Sequence, residues 1–191
     1  ESFGDKGKVI TNLQYGCTIN CMTLQPDGKI IIAGVYDING FRKMLLIRYT
    51  SEGNLDQEFG DRGIVKMVFV TGYHIVDLSA IGLQPDGKIV IAGGSSPQYD
   101  IFMSLARFES NGSLDLAFGN EGKVITDFKT DESYATSVQI QPDGKIIAAG
   151  TANDYAGLKG TFALARYQAN GSLDPSFGVN GLQTTAASIT D

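Results

Sequence analysis

The sequence predicts an all-β fold in which one four-stranded antiparallel sheet is made three times. Three observations carry this. The stretch "LQPDGKIIIAG" at residues 24–34 returns as "LQPDGKIVIAG" at 83–93 and "IQPDGKIIAAG" at 140–150. Landmarks outside it keep the same order and spacing, which chance does not produce. Finally, no segment shows a 3.6-residue apolar period over ten residues, so little helix is expected.

The landmarks define the period. "FG" begins at Phe3, Phe59, Phe118 and Phe177, intervals of 56, 59 and 59 residues. The arginines that close "LLIRY", "SLARF" and "ALARY" are Arg48, Arg107 and Arg166, 59 apart, and Asp56, Asp115 and Asp174 of "NLD", "SLD" and "SLD" share that interval. A repeat of this length is one supersecondary unit that buries itself against its neighbours. We read 1–191 as a single repeat domain with units of about 58 residues near 3–58, 59–117 and 118–176. Residues 177–191 open a fourth unit or supply a capping strand.

Each unit reads as four strands. The first follows the "FGxxG" turn ("GKVITN", "GIVKMV", "GKVITD"). The second ("INCMTLQ", "LSAIGLQ", "ATSVQIQ") alternates apolar residues, Met22 with Leu24, Ile81 with Leu83 and Val138 with Ile140, the period of a strand with one buried face. The third ("KIIIAG", "KIVIAG", "KIIAAG") is nearly continuously apolar and is expected to be covered on both faces. The fourth is the arginine strand. Between the second and third, "QPDGK" places proline and aspartate at the centre of a type I turn and glycine in the left-handed conformation after it. That makes Gly28, Gly87 and Gly144 the bulge glycines of three tight hairpins.

Four antiparallel strands at a fixed period, each sheet packing only on its neighbours, predict a β-propeller-like array of three four-stranded blades. The ordered set of hairpin, arginine strand and "SLDxxFG" resembles the delta-60 repeat, over nearly the whole chain. The resemblance implies a propeller-like all-β array of the kind found in large bacterial proteins and implies almost nothing about activity. Three blades are fewer than the usual four to eight of a closed ring. The opening "ESFG" matches the close of a unit, as in "PSFG" and "QEFG". Three explanations stand: the chain is an excerpt of a longer array, a second copy joins it head to tail in a six-bladed ring, or the strand at 181–185 completes a neighbouring sheet.

Charge and composition exclude several functions. A net charge of -6 opposes a phosphate-backbone partner, which needs a basic face, so no nucleic acid is expected. No apolar run approaches the roughly 18 residues of a membrane span. Cys17 and Cys21 lie four apart on the second strand, about 13 Å, too far for a disulfide with each other. His74 is the single histidine, and no "GxSxG", CxxC or "GxxxxGK[ST]" occurs, so no catalytic, cofactor or metal residue is assigned. "ESNGSLD" at 109–115 has the oxygen-rich look of a calcium loop. Its sister copies begin with Thr50 and Gln168, and turn-forming side chains account for it.

What remains is a scaffold with variable loops. Each arginine follows an apolar run and needs a carboxylate. Asp56, Asp115 and Asp174, eight residues on, are candidates for structural ion pairs, and so are Asp27, Asp86 and Asp143 of the hairpins. The loops after the third strand differ between copies and carry Tyr36, Phe41, Tyr99 and Tyr155, an aromatic, weakly acidic set suited to protein or glycan contact. The expected function is a non-enzymatic structural or binding module, secreted or on the cell surface, within a larger repeat protein. The alternative is a segment of a propeller hydrolase or lyase whose catalytic residues lie in other blades.

Overall fold

The computed structural model describes residues 3–69, 76–96, 100–154 and 161–186. His74, Tyr99 and Tyr155 lie outside the described residues. The strands form three four-stranded antiparallel sheets. Sheet 1 holds β1 (Cys17–Leu24), β2 (Ile30–Ile38), β3 (Phe41–Tyr49) and β4 (Ile64–Met67). Sheet 2 holds β5 (Val76–Leu83), β6 (Ile89–Ser95), β7 (Phe102–Phe108) and β8 (Lys123–Thr126). In sheet 3 are β9 (Glu132–Ile140), β10 (Ile146–Asn153), β11 (Thr161–Tyr167) and β12 (Leu182–Ala186). Each sheet runs in sequence order, as expected of a meander built from hairpins. Among the described residues there is no helix, and the sheets are not closed into a ring by hydrogen bonds.

One element sits elsewhere than the sequence reading placed it. The strand after each "FGxxG" turn, read as the opening strand of its unit, closes the sheet of the unit before. β4 pairs with β3 through Leu46 and Val65, and β8 with β7 through Leu105 and Val124. The sequence period and the sheet are therefore out of phase by one strand. Residues 8–11, the earliest copy of that strand, form no ladder.

Each "QPDGK" hairpin closes as its residues dictate. The Gly28 amide donates to the Gln25 carbonyl at 2.9 Å, and the Gln25 amide to the Lys29 carbonyl at 2.8 Å. Gly28, Gly87 and Gly144 have φ of 84, 85 and 82°, where a side chain is disfavoured. A second set of glycines went unnoticed in the sequence. In β1 the register slips between Ile19 and Cys21, and in β5 between Leu78 and Ala80, so each strand carries a bulge. The bulge turns a carbonyl onto the neighbouring strand: a Cβ on Gly34 would lie 2.0 Å from the Thr18 oxygen, one on Gly93 1.8 Å from that of Asp77, and one on Gly150 1.9 Å from that of Tyr134. The glycine that ends each "AG" is required by its neighbour rather than by its own dihedrals.

The cores lie between sheets. Ile31, Ala33, Met44 and Leu46 of sheet 1 meet Leu78, Ile89, Ile91 and Phe108 of sheet 2. On the far side of sheet 2, Val90, Met103 and Leu105 meet Val138, Ile146 and Tyr167 of sheet 3. Sheet 2 is sandwiched, so every residue of β6 is buried. The outer sheets depart from the expectation: β10 is only partly buried at Ile147 and Ala149, and Met22 and Leu24 of β1 are 63% and 64% exposed. Their face points away from sheet 2, where no described sheet covers it.

Candidate functional site: an arginine seam between sheets

At the hairpin end of every sheet one polar cluster is made three times. Arg48 Nε donates to Asp56 Oδ2 at 2.7 Å, Arg107 Nε to Asp115 Oδ2 at 2.7 Å, and Arg166 Nε to Asp174 Oδ2 at 2.8 Å. The local reason is the turn after the arginine strand. It folds back so that the Asp56 amide reaches the Arg48 carbonyl at 2.9 Å, setting the two side chains edge to edge. Of the alternative carboxylates, Asp27, Asp86 and Asp143 instead accept the amides of Lys29, Lys88 and Lys145 within their own hairpins.

Two further members were missed from sequence. The lysine of each "QPDGK" joins the same carboxylate oxygen: Lys29 Nζ lies 3.0 Å from Asp56, Lys88 Nζ 3.0 Å from Asp115, and Lys145 Nζ 3.2 Å from Asp174. The phenylalanine of each "FG" stacks under the guanidinium, with Arg48, Arg107 and Arg166 centred 4.4, 4.5 and 4.7 Å from the rings of Phe59, Phe118 and Phe177. The signal was available in the shared 59-residue spacing of arginine, aspartate and phenylalanine, and in the recurrence of the lysine at the end of each "QPDGK".

The cluster also crosses to the next sheet. Arg48 Nη1 donates to the Ser110 carbonyl and Arg107 Nη1 to that of Ala169. The Gly60 amide donates to Asn111 and the Gly119 amide to Asn170, both at 2.8 Å. Among the described residues Arg166 has no such acceptor; its Nη2 donates to Ser176 Oγ at 3.0 Å.

The electrostatics are those of a satisfied buried anion. Burial pushes the Asp56 carboxyl up, but the hydrogen bonds from Lys29 and the Glu58 amide and the charge of Arg48 outweigh it, and the group stays below the usual carboxylate range. Asp115 follows the same pattern with Lys88, the Ala117 amide and Arg107. Asp174 is lowered too, burial being outweighed by bonds from the Ser176 side chain and amide and from Lys145. With both oxygens of each carboxylate occupied, none is free to move a proton.

This motif is coextensive with a known family. The sequence matches the family described as "Domain of unknown function (DUF5122) beta-propeller" at residues 25–59, 84–118 and 141–177, more than half of the chain. The chain belongs to that family. Each matched segment of this β-propeller family runs from the hairpin glutamine to the phenylalanine beneath the arginine, and so contains all four members of the cluster. No curated protein matches the chain.

The opposite end of the sheets holds the variable loops. Phe41 opens β3 and is 44% exposed. Tyr36, expected in the loop, is instead in β2, paired with Lys43, and only 8% exposed. Its ring lies 5.9 Å from that of Tyr15, with Lys66 Nζ above both. Arg42 Nη1 meets Asp77 Oδ1 at 2.8 Å across sheets 1 and 2. In "ESNGSLD", Glu109 receives Lys88 Nζ, Asn111 Oδ1 accepts the Ser113 amide, and Asp115 holds Arg107, so the oxygens are already engaged. Among the described residues no three His, Cys, Asp or Glu side chains converge on a metal position.

Proposed function

We propose that the chain is a non-enzymatic scaffold and binding module, built of delta-60-type repeats within a larger bacterial repeat protein at the cell surface or outside the cell. In this reading the arginine, aspartate, lysine and phenylalanine cluster locks successive sheets. Contact with protein or glycan falls to the loops at the other end. The observation that supports it is the division of labour along each sheet. The polar groups that recur in every copy are consumed in internal bonds at the hairpin end, whereas the copies differ in the loops that carry Phe41, Tyr99 and Tyr155. Identical groups in every blade suit a repeating joint better than a single site.

The test is a glycan array and a pull-down with the purified chain and with a Phe41→Ala, Tyr99→Ala, Tyr155→Ala variant. The expected result is at least a tenfold loss of retained signal with an unchanged melting temperature. Equal retention by the variant would remove the loops from the binding role.

A further inference from the structure

The pentapeptide "GKVIT" occurs at residues 7–11 and again at 122–126. The second copy supplies β8, paired with β7 from Lys123↔Ala106 to Thr126↔Met103. The first forms no ladder with any described residue, yet it is held as though it did. The Gly4 amide donates to the Glu52 carbonyl at 2.8 Å, as Gly60 does to Asn111 and Gly119 to Asn170. Thr11 Oγ1 lies 2.7 Å from the Tyr49 hydroxyl, just as Thr126 Oγ1 lies 2.6 Å from that of Tyr167. Residues 3–13 thus sit against sheet 1 in the posture of the last strand of a preceding sheet. Among the described residues no strand pairs with their outer edge, and Ile10 is 84% exposed.

The far face of sheet 3 is the complement. Phe162 is 63% exposed, whereas its equivalents Met44 and Met103 are 1% and 0% exposed because a following sheet covers them. Among the described residues Arg166 lacks the cross-sheet carbonyl that Arg48 and Arg107 reach. The strand on that edge, β12, also departs from its copies. Val65 and Val124 each pack beside the glycine of their own "FG" turn, and Val9 does the same beside Gly4, but beside Gly178 stands Gln183. An apolar residue suits a strand roofed by another sheet; a glutamine suits one left in water.

The geometry points to head-to-tail association with a second copy of this chain by strand exchange. Residues 8–11 of one copy replace β12 on β11 of the other, bringing sheet 1 of the first over sheet 3 of the second. The register follows from β8 on β7 and places Lys8 opposite Ala165 and Val9 opposite Leu164. Arg166 then meets the carbonyl of Ser51, the position that Ser110 and Ala169 hold for the other arginines. A heterologous contact of this kind closes as a ring of two copies or runs on as a filament. The inference concerns the two end faces of this 191-residue array and is independent of the loop-binding reading; in a longer array an adjoining repeat would meet the same faces.

Two measurements on the 191-residue chain test it. Sedimentation velocity across a hundredfold concentration range should show dimers or a ladder of larger species. Phe162→Glu should weaken association at least tenfold without lowering the melting temperature of the dilute monomer, since there that side chain is 63% exposed. Hydrogen exchange read by mass spectrometry should show amides 8–11 gaining protection with concentration while amides 183–185 lose it. A monomer at every concentration overturns the inference. So does association that ignores Phe162→Glu, or association that leaves residues 8–11 unprotected and shows that the copies meet without exchanging strands.

Discussion

The guanidinium of Arg48 and the carbonyl oxygen of Ser110, 62 residues apart in sequence, join two sheets by a single hydrogen bond. The same side chain is anchored in its own sheet by Asp56, so one residue ties a turn, a strand and the neighbouring blade. Repeat arrays derive much of their stability from such nearest-neighbour terms.

Arginine replacement should therefore rank by position. Arg107→Met leaves the buried carboxylate of Asp115 with the Lys88 ammonium and the Ala117 amide and removes the bond to Ala169. Breaking a buried pair from one side costs about 3–5 kcal/mol, and the lower end is expected here because Lys88 remains. Arg166→Met should cost less than Arg107→Met, since Lys145 and Ser176 still hold Asp174, the arginine side chain is 19% exposed and no bond to a following sheet is lost within one copy. Urea unfolding of the two variants checks the order. Equal losses would mean the cross-sheet bond carries no weight.

Acid should loosen the seams. Asp56 and Asp115 have folded-state values below their unfolded ones, so each contributes stability that is complete above the unfolded carboxylate value, about 3.9, and fades as pH falls toward the folded value. Melting temperature should be flat from pH 7 to about 5 and drop below pH 4. Asp115→Asn should start lower at pH 7 and show a shallower drop. A parallel curve for the variant would place the acid sensitivity elsewhere.

The two glycines of one hairpin should differ in cost. Gly87→Ala requires a left-handed alanine, roughly 1 kcal/mol, with 3.4 Å to the nearest side-chain atom. Gly93→Ala drives a methyl to 1.8 Å from the Asp77 oxygen, which the bulge cannot relieve without moving the strand, and should cost at least about 3 kcal/mol. Thermal unfolding of both would settle the order, and a milder Gly93 variant would contradict the bulge geometry.

The two thiols should separate kinetically. Burial pushes Cys21 up to about 11, so at pH 8 roughly one thiol in a thousand is thiolate. Cys17 is exposed. Iodoacetamide at pH 8, followed by peptide mass mapping, should alkylate Cys17 at least tenfold faster. Comparable rates would show that β1 opens readily.

Much of this molecule is local in origin and was legible residue by residue. Proline, aspartate and glycine in "QPDGK" specify a bulged hairpin wherever they occur. The eight-residue step from arginine to aspartate spans one turn, which restricts the carboxylates within reach, and alternation along the strands marks their faces. Gly34, Gly93 and Gly150 escaped notice because the demand on them comes from a carbonyl on the adjacent strand. Tyr36 escaped because β2 runs further than its apolar block.

The amino-acid order alone determined the repeat, its period, the strands and the turns between them, since each depends on neighbours along the chain. Only the tertiary structure decided which sheet a strand joins and what its arginine reaches. The pentapeptide "GKVIT" shows why: at 122–126 it is a strand and at 7–11 it is not, because a strand exists only when another lies beside it to take its hydrogen bonds.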